Sequence, residues 1–266
     1  MKQERCRICS IDFSFIKKML VCNELQSTND TLCSLAEKKS NAIQVVIAAK
    51  QTKGRGRRGN FWFSPLGGLW MSILLPTDLP DEAITGLNIW CGLVCAQACD
   101  AVMGNENFMK YHALLRWPND IIINDKKIGG ILIDVKTEGK TKKSIVVGIG
   151  INANQKYFPE NLEDEAISFY SILGKKISRK YLLFQILAGF ERILDRIMNG
   201  KCDIFLKDWS RYSYELGRLV QIETGSDTLV RGKVIGIGKK GELNIVDEND
   251  SIVRIYNGYH LKILDK

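Results

Sequence analysis

A chain of 266 residues, 45% hydrophobic and 26% charged, is neither a disordered polyelectrolyte nor a fibre. It carries enough apolar material for one large domain or for a large and a small one. Its net charge of +8 and pI near 9.0 suit a nucleic-acid binder and, equally, an enzyme that handles ATP and an acidic protein partner.

Eight cysteines do not make a disulfide scaffold at this length, and no secretory leader is visible. Free thiols in a reducing compartment, the cytoplasm, are therefore expected. The longest apolar runs are strand-length, which indicates no transmembrane span. Residues 1–20 read as an N-terminal extension. Lys2, Arg5, Arg7, Lys17 and Lys18 give it a basic cast, while Glu4 and Asp12 argue against a targeting segment. Cys6 and Cys9 form one Cys-x-x-Cys. Zinc would need two further ligands, and His112 and His260 are remote, so no metal site is assigned.

Ser27-Thr28-Asn29-Asp30 precedes Leu32, Leu35 and Ala36, the spacing of a short amphipathic helix capped by Ser27 or Thr28. Val45-Val46-Ile47-Ala48-Ala49 reads as a buried strand, and it opens into Gln51-Thr52-Lys53-Gly54-Arg55-Gly56-Arg57-Arg58-Gly59-Asn60-Phe61-Trp62. Glycines let a backbone approach a ligand closely and turn successive N–H groups onto an anion. Arginines add planar, permanent cations suited to phosphate or carboxylate. The loop is thus expected to hold a phosphate-bearing molecule; a solvated basic turn or a nucleic-acid patch is the alternative that the tract alone leaves open.

Leu69 to Leu75 reads as a strand. A helix is expected from Pro80-Asp81-Glu82 to about Met103, ending before Gly104. Cys91, Cys95 and Cys99 recur on one face of it, which packing explains better than chemistry. Strands are predicted at 114–117, 120–123, 128–135 and 144–151, with Asn124-Asp125 plus Lys126 as a hairpin turn. Ser178 should cap a long helix bearing Tyr181, Phe184, Leu187, Phe190, Leu194 and Ile197, closing near Gly200. From about Tyr214 the pattern becomes short strands at 218–224, 228–238, 242–247 and 252–256. Gly236, Gly238 and Gly241 precede no helix, so they read as turns rather than a nucleotide loop. The fold class is α+β with a largely antiparallel sheet and a small all-β unit.

The motifs Ser27-Thr28-Asn29, Gln51 with Gly54 to Gly59 and Trp62, Arg116-Trp117-Pro118-Asn119-Asp120, Lys127-Ile128-Gly129-Gly130-Ile131-Leu132 and Gly148-Ile149-Gly150-Ile151-Asn152 follow one another in an order that resembles the biotin protein ligases. The resemblance is strong over residues 23–155 and looser over the last fifty. It implies a class II synthetase-like catalytic domain over 21–213 and a small SH3-like β-barrel over 214–266. It also implies an ATP-dependent ligase that activates biotin as biotinyl-5′-AMP and passes the biotinyl group to a lysine of a biotin carboxyl carrier domain. Mg²⁺ would accompany ATP, no DNA or membrane partner is expected, and a homodimer is possible. Only 26 residues precede Ser27, too few for the three packed helices of a helix-turn-helix repressor domain.

On the same resemblance, Ser27, Thr28, Asn29 and Gln51 would meet biotin's ureido head, with Arg55, Gly56, Arg57, Lys127, Gly129 and Gly130 completing the biotin site. Gly54, Arg55, Arg57, Trp62, Asn119, Asp120 and Asn152 would hold the nucleotide, with the Trp62 indole against adenine. Asp120 would help position Mg²⁺ or the acceptor lysine. Lys127 and Arg57 are the expected catalytic groups, because two anions must meet and the barrier is one of charge. Arg116 stands where the family usually has a lysine, and Lys53 where it often has a small residue. A lipoate or octanoyl transferase is the rival enzyme, but a straight acyl chain has no use for the polar contacts of Ser27 to Asn29. A nucleic-acid module ranks low, since residues 214–256 offer only Tyr214 and Tyr256 for stacking.

Overall fold

The computed structural model describes residues 6–37, 43–104, 107, 110–139, 141–200, 204–225 and 228–265. An eight-stranded sheet is built from strands between Cys6 and Ile151. Its strands are β1 (Cys6–Ser10), β2 (Lys18–Leu25), β3 (Val45–Gln51), β4 (Leu69–Leu75), β5 (Leu114–Arg116), β6 (Asp120–Ile123), β7 (Lys126–Glu138) and β8 (Thr141–Ile151). They lie in the order β1-β2-β3-β4-β8-β7-β6-β5. Only β2 and β3 run parallel, joined through the helix α1 (Thr28–Glu37); every other pair is antiparallel.

Strand alternation divides the sheet's burden between two layers. Val46, Ala48 and Val146 face Leu32 and Cys33 of α1. Val45, Ile145 and Val147 belong to the opposite, larger core. There they meet α2 (Asp81–Met103) and the long helix Arg179–Met198, whose Ser178 cap accepts a hydrogen bond from the Tyr181 N–H. The helix α2 is long and apolar enough to cross a membrane, contrary to the expectation from run length. However, 72% of its most apolar window is buried inside the fold. Cys91, Cys95 and Cys99 are part of that core, and burial pushes all three thiols upward.

Three local results differ from the sequence reading. Residues 6–10 pair with β2 as the edge of the large sheet. Cys6 and Cys22 face each other in that pairing and are joined as a disulfide, so the expectation of free thiols fails for these two. Cys6 is thereby unavailable to form a metal pair with Cys9. The β6–β7 turn is a two-residue Asn124-Asp125 loop with φ of 51° and 60°, the primed geometry that matches strand twist; Lys126 already belongs to β7. Finally, α3 (Phe169–Leu173), a helix at Ile204–Tyr212 and a last strand, β13 (Gly258–Ile263), had no clear signal in the sequence.

The small unit is a five-stranded antiparallel sheet in the order β12-β11-β10-β9-β13, with β9 Leu219–Thr224, β10 Leu229–Ile237, β11 Leu243–Val246 and β12 Ile252–Ile255. Its Val220, Ile222, Leu243 and Ile245 share one buried cluster with Trp117 and α2. The joint also contains a carboxylate. Glu215 is fully buried, takes the Trp117 N–H at 2.7 Å, and is pushed by burial up to about 7, opposed by that hydrogen bond and by Arg116.

A carboxyl raised in the folded state gives stability that is complete below its unfolded value near 4.5 and lost as pH rises through the folded value. Urea unfolding of Glu215→Gln beside wild type should therefore show the variant gaining, relative to wild type, on the order of 3 kcal/mol between pH 4.5 and 7. A pH-independent difference would remove the burial argument.

Candidate functional site

The first turn of α1 is fixed by its cap. Ser27 Oγ accepts from the Asp30 N–H at 3.2 Å and the Ser27 carbonyl from the Thr31 N–H at 3.1 Å. This turn inserts Thr28 and Asn29 against the sheet. The Thr28 N–H and hydroxyl both donate to Gln51 Oε1, at 2.8 and 3.1 Å, and Gln51 Nε2 donates to Ser64 Oγ at 2.9 Å. The Ser72 hydroxyl, wholly buried in the middle of β4, lies 2.8 Å from Thr28 Oγ1 and 2.5 Å from Asn29 Oδ1. Asn29 Nδ2 donates to Asp134 at 3.0 Å. The result is a shell of neutral donors and acceptors, each held by another.

Beneath it the sheet is bare. A Cβ on Gly148 would overlap the Asn29 carboxamide, one on Gly150 would overlap the Trp62 indole, and one on Gly130 would stand 3.2 Å from that ring. Trp62 therefore lies flat on the strands, its Nε1 buried and without a hydrogen-bond partner.

The glycine-arginine loop is a narrow hairpin. Arg55 pairs with Phe61, and a 3-10 turn at Arg57–Gly59 holds Arg58 at φ 56°. The Gly56 N–H donates to the Asn60 carbonyl at 2.7 Å. The expected cradle of backbone N–H groups from Gly54 to Arg57 is accordingly not offered whole, and the guanidinium groups are the loop's main anion-facing donors. Gly54 is buried against Ser64 and the Trp62 carbonyl, and Gly129 packs against the Gly150 carbonyl. Of the predicted site residues, these two alone do not line the cavity. Both are glycines because neighbouring backbone leaves no room for a side chain.

The cations divide into three kinds. Arg55 is held between Asp30 at 2.9 Å and Asp134 at 2.6 Å, which ties the loop to α1 and β7 rather than leaving its charge for a ligand. Lys127 Nζ lies 2.7 Å from Asp120 and 5.0 Å from the Trp62 ring centre, while Arg116 reaches the other Asp120 oxygen at 3.6 Å. Arg57 is half-buried and donates to a neutral group, Asn119 Oδ1, at 3.2 Å; Asn119 is itself fixed by donating to the Ile131 carbonyl at 2.9 Å. Burial lowers the Arg57 guanidinium from its ordinary value, Asp120 opposes this, and Arg58 adds to it.

A β-bulge aims Lys127. Ile121 pairs with Gly129 but Ile122 with Lys127, so Ile128 has no partner on β6. Ile128 and Ile131 both enter the main core although three residues apart, which regular alternation forbids. The break in phase sends Lys127 to the cavity side. Its backbone is clamped on the other edge by the Glu165 carbonyl and the Ile167 N–H. Asn152 serves that clamp: Nδ2 donates to the Lys127 carbonyl at 3.3 Å and Oδ1 accepts from Gln155 at 2.6 Å. Its amide is thus largely committed to local structure, although the residue lines the cavity.

Thr28, Asn29, Gln51, Arg57, Trp62, Asp120 and Lys127 line one cavity of about 910 Å³, closed on one side by Tyr259 and His260 of β13; Ser64, Ser72 and Asp134 brace these groups from behind. Sequence reading missed Ser64, Ser72, Asp134 and Tyr259. Ser72 had a signal, a lone hydroxyl within the apolar run Leu69–Leu75; the other three had none.

The chain matches the model of the biotin/lipoate A/B protein ligase family over residues 21–152. It is 35% identical over 237 residues to the bifunctional ligase/repressor BirA of Bacillus subtilis, spanning 88% of this chain and 70% of that protein. A biotin–[acetyl-CoA-carboxylase] ligase of Paracoccus denitrificans is 31% identical over 126 residues, 47% of this chain and 50% of that one. The solved biotin protein ligase of Aquifex aeolicus in complex with biotin and ATP superposes with a TM-score of 0.78 at 29% identity, covering 92% of this chain and 98% of that one.

Replacing Ser72 by Ala removes the single buried O–H donor that Asn29 Oδ1 and Thr28 Oγ1 share. The expected loss is about 1–3 kcal/mol in urea unfolding; a loss below about 0.5 kcal/mol would show that the network tolerates the gap.

Proposed function

The chain belongs to the biotin protein ligase family, and we propose that it activates biotin with ATP and transfers the biotinyl group to a lysine of a carrier domain. The observation that carries this reading is the convergence of two unlike surfaces on one cavity. One is the neutral shell of Thr28, Asn29 and Gln51, braced from behind by Ser72; the other is the cationic pair Arg57 and Lys127. A ureido ring needs matched donors and acceptors, and a carboxylate meeting a phosphate needs charge neutralisation.

In the first step a biotin carboxylate oxygen attacks the α-phosphorus; the new O–P bond forms as the bond to pyrophosphate breaks. Arg57, whose polar contact is to an amide rather than a carboxylate, is free to bridge the two anions with its planar fork. Lys127 leaves Asp120 to follow the charge as it moves from carboxylate to phosphate oxygen, a role suited to a compact ammonium on a flexible stem. Arg55 anchors the loop, Asn119 orients Arg57, and the exposed side of the Trp62 indole receives adenine. In the second step a lysine amine of the acceptor attacks the acyl carbon, the acyl–O bond breaks and AMP departs. Asp120, released by Lys127, helps to place that amine.

The described residues contain no group of three His, Cys, Asp or Glu placed to hold a metal. The carboxylates at the cavity, such as Asp120, suit an Mg²⁺ bound chiefly by phosphate oxygens and water, which would supply further charge neutralisation. A carboxylase carrier domain is the acceptor class proposed, and the cytoplasm, where ATP is available, the location. Association of two copies through an edge strand of the large sheet is part of the same proposal.

The test is purified protein with ATP, Mg²⁺ and labelled biotin, scored for retained biotinyl-AMP and for label passed to a carrier domain. Arg57→Ala and Lys127→Ala are expected to slow adenylate formation by about 10²–10³-fold. Undiminished formation in Lys127→Ala would leave the ligase standing and discard the charge-following role.

A further inference from the structure

The cavity wall formed by the small sheet contains a contact that the ligase reading does not use. Arg58 sits at the tip of the glycine-arginine hairpin, in the left-handed region at φ 56° and ψ 29°. Its guanidinium carbon lies 3.5 Å from the centre of the Tyr259 ring, more than 200 residues further along the chain. Tyr259 is re-aimed by an irregularity in β13: it pairs with Glu223, pairing resumes at Lys262 with Gln221, and His260 between them is held at φ 50°. His260 Nδ1 lies 2.8 Å from Glu223. Two non-glycine residues in a sparsely populated conformation thus stand on either side of one stack. Such conformations persist where surrounding contacts over-determine them.

Resting on the ligase reading, we infer that Tyr259 is a positioning residue: stacked under Arg58, it holds the hairpin of Arg55 to Phe61 down over the bound biotinyl-AMP. The stack also fixes Arg58, whose charge disfavours that of its neighbour Arg57, in one place on the cavity lining. The small sheet therefore sets how long the activated intermediate stays enclosed. The interaction is a cation over an aromatic face at a partly exposed position, so its loss changes an equilibrium by about two- to fivefold.

The experiment uses the full chain as wild type, Tyr259→Ala, Tyr259→Phe, Arg58→Ala and the double alanine variant. Each is loaded with labelled biotin and ATP and diluted into excess unlabelled biotin, and the escape of labelled biotinyl-AMP is timed. Tyr259→Ala and Arg58→Ala should each speed escape by about two- to fivefold, the double variant no more than either alone, and Tyr259→Phe should retain the wild-type rate. Wild-type escape from Tyr259→Ala, or multiplying effects in the double variant, would overturn the inference. Trypsin cleavage within residues 55–58 gives a second readout that needs no substrate. It should accelerate in Tyr259→Ala and not in Tyr259→Phe, and equal cleavage would overturn the inference even if wild type makes no biotinyl-AMP. Should Tyr259→Ala unfold, exposed Arg58→Ala carries the escape readout, and its cleavage after Arg55, a site every variant retains, carries the second.

Discussion

Where β7 and β8 pass under the cavity, Gly130, Gly148 and Gly150 leave a stretch of sheet with no side chains, and the site depends on that bare floor. Asn29 can descend from the first turn of α1 only because Gly148 has no Cβ, and Trp62 can lie flat only because Gly150 has none. Backbone approach of this kind is what glycine alone permits. Asn29 in turn meets Ser72 and Asp134, and Asp134 meets Arg55. A neutral recognition shell and the root of a cationic loop are thereby fastened to the same patch of sheet.

Charge at the site is balanced before any anion arrives. Asp30 and Asp134 hold Arg55, and Asp120 holds Lys127 with Arg116 beside it. Cations packed together without such partners would repel one another and strain the fold. Their partners give the cations different roles. Arg55 lies between two carboxylates, Lys127 shares one with Arg116, and Arg57 is bonded to the neutral Asn119. Replacement of the family's usual lysine by Arg116 keeps the charge and leaves the Asp120–Lys127 contact in place.

The large and small sheets are joined by more than a linker. Trp117 is buried among residues of both, donates its backbone N–H to Glu215 and its indole N–H to the Gly241 carbonyl. It immediately precedes Pro118, Asn119 and Asp120, two of which orient cations in the cavity. The joint and the residues that contact Arg57 and Lys127 therefore share one short segment, and β13 also lines the cavity.

Much of this was written locally in the sequence. The alternation of glycine and arginine, the Ser-Thr-Asn capping turn and the strand-then-turn spacing around Asn124-Asp125 each act over a few residues, so composition and order suffice to read them. The fold class, and a set of site residues of which all but Gly54 and Gly129 line the cavity, followed from these signals together with the resemblance they carry. What they do individually was decided by tertiary structure: Arg55 became an anchor, Asn152 a clamp on Lys127, and the Gly56 N–H a hairpin bond. So were the partners that no local pattern marks, among them Asp134, Tyr259 and the Cys6–Cys22 pair. Local rules report the backbone conformation a residue favours and the face it turns inward. Which group it meets depends on strand register and on how two sheets pack, and those are set by burial summed over the whole chain.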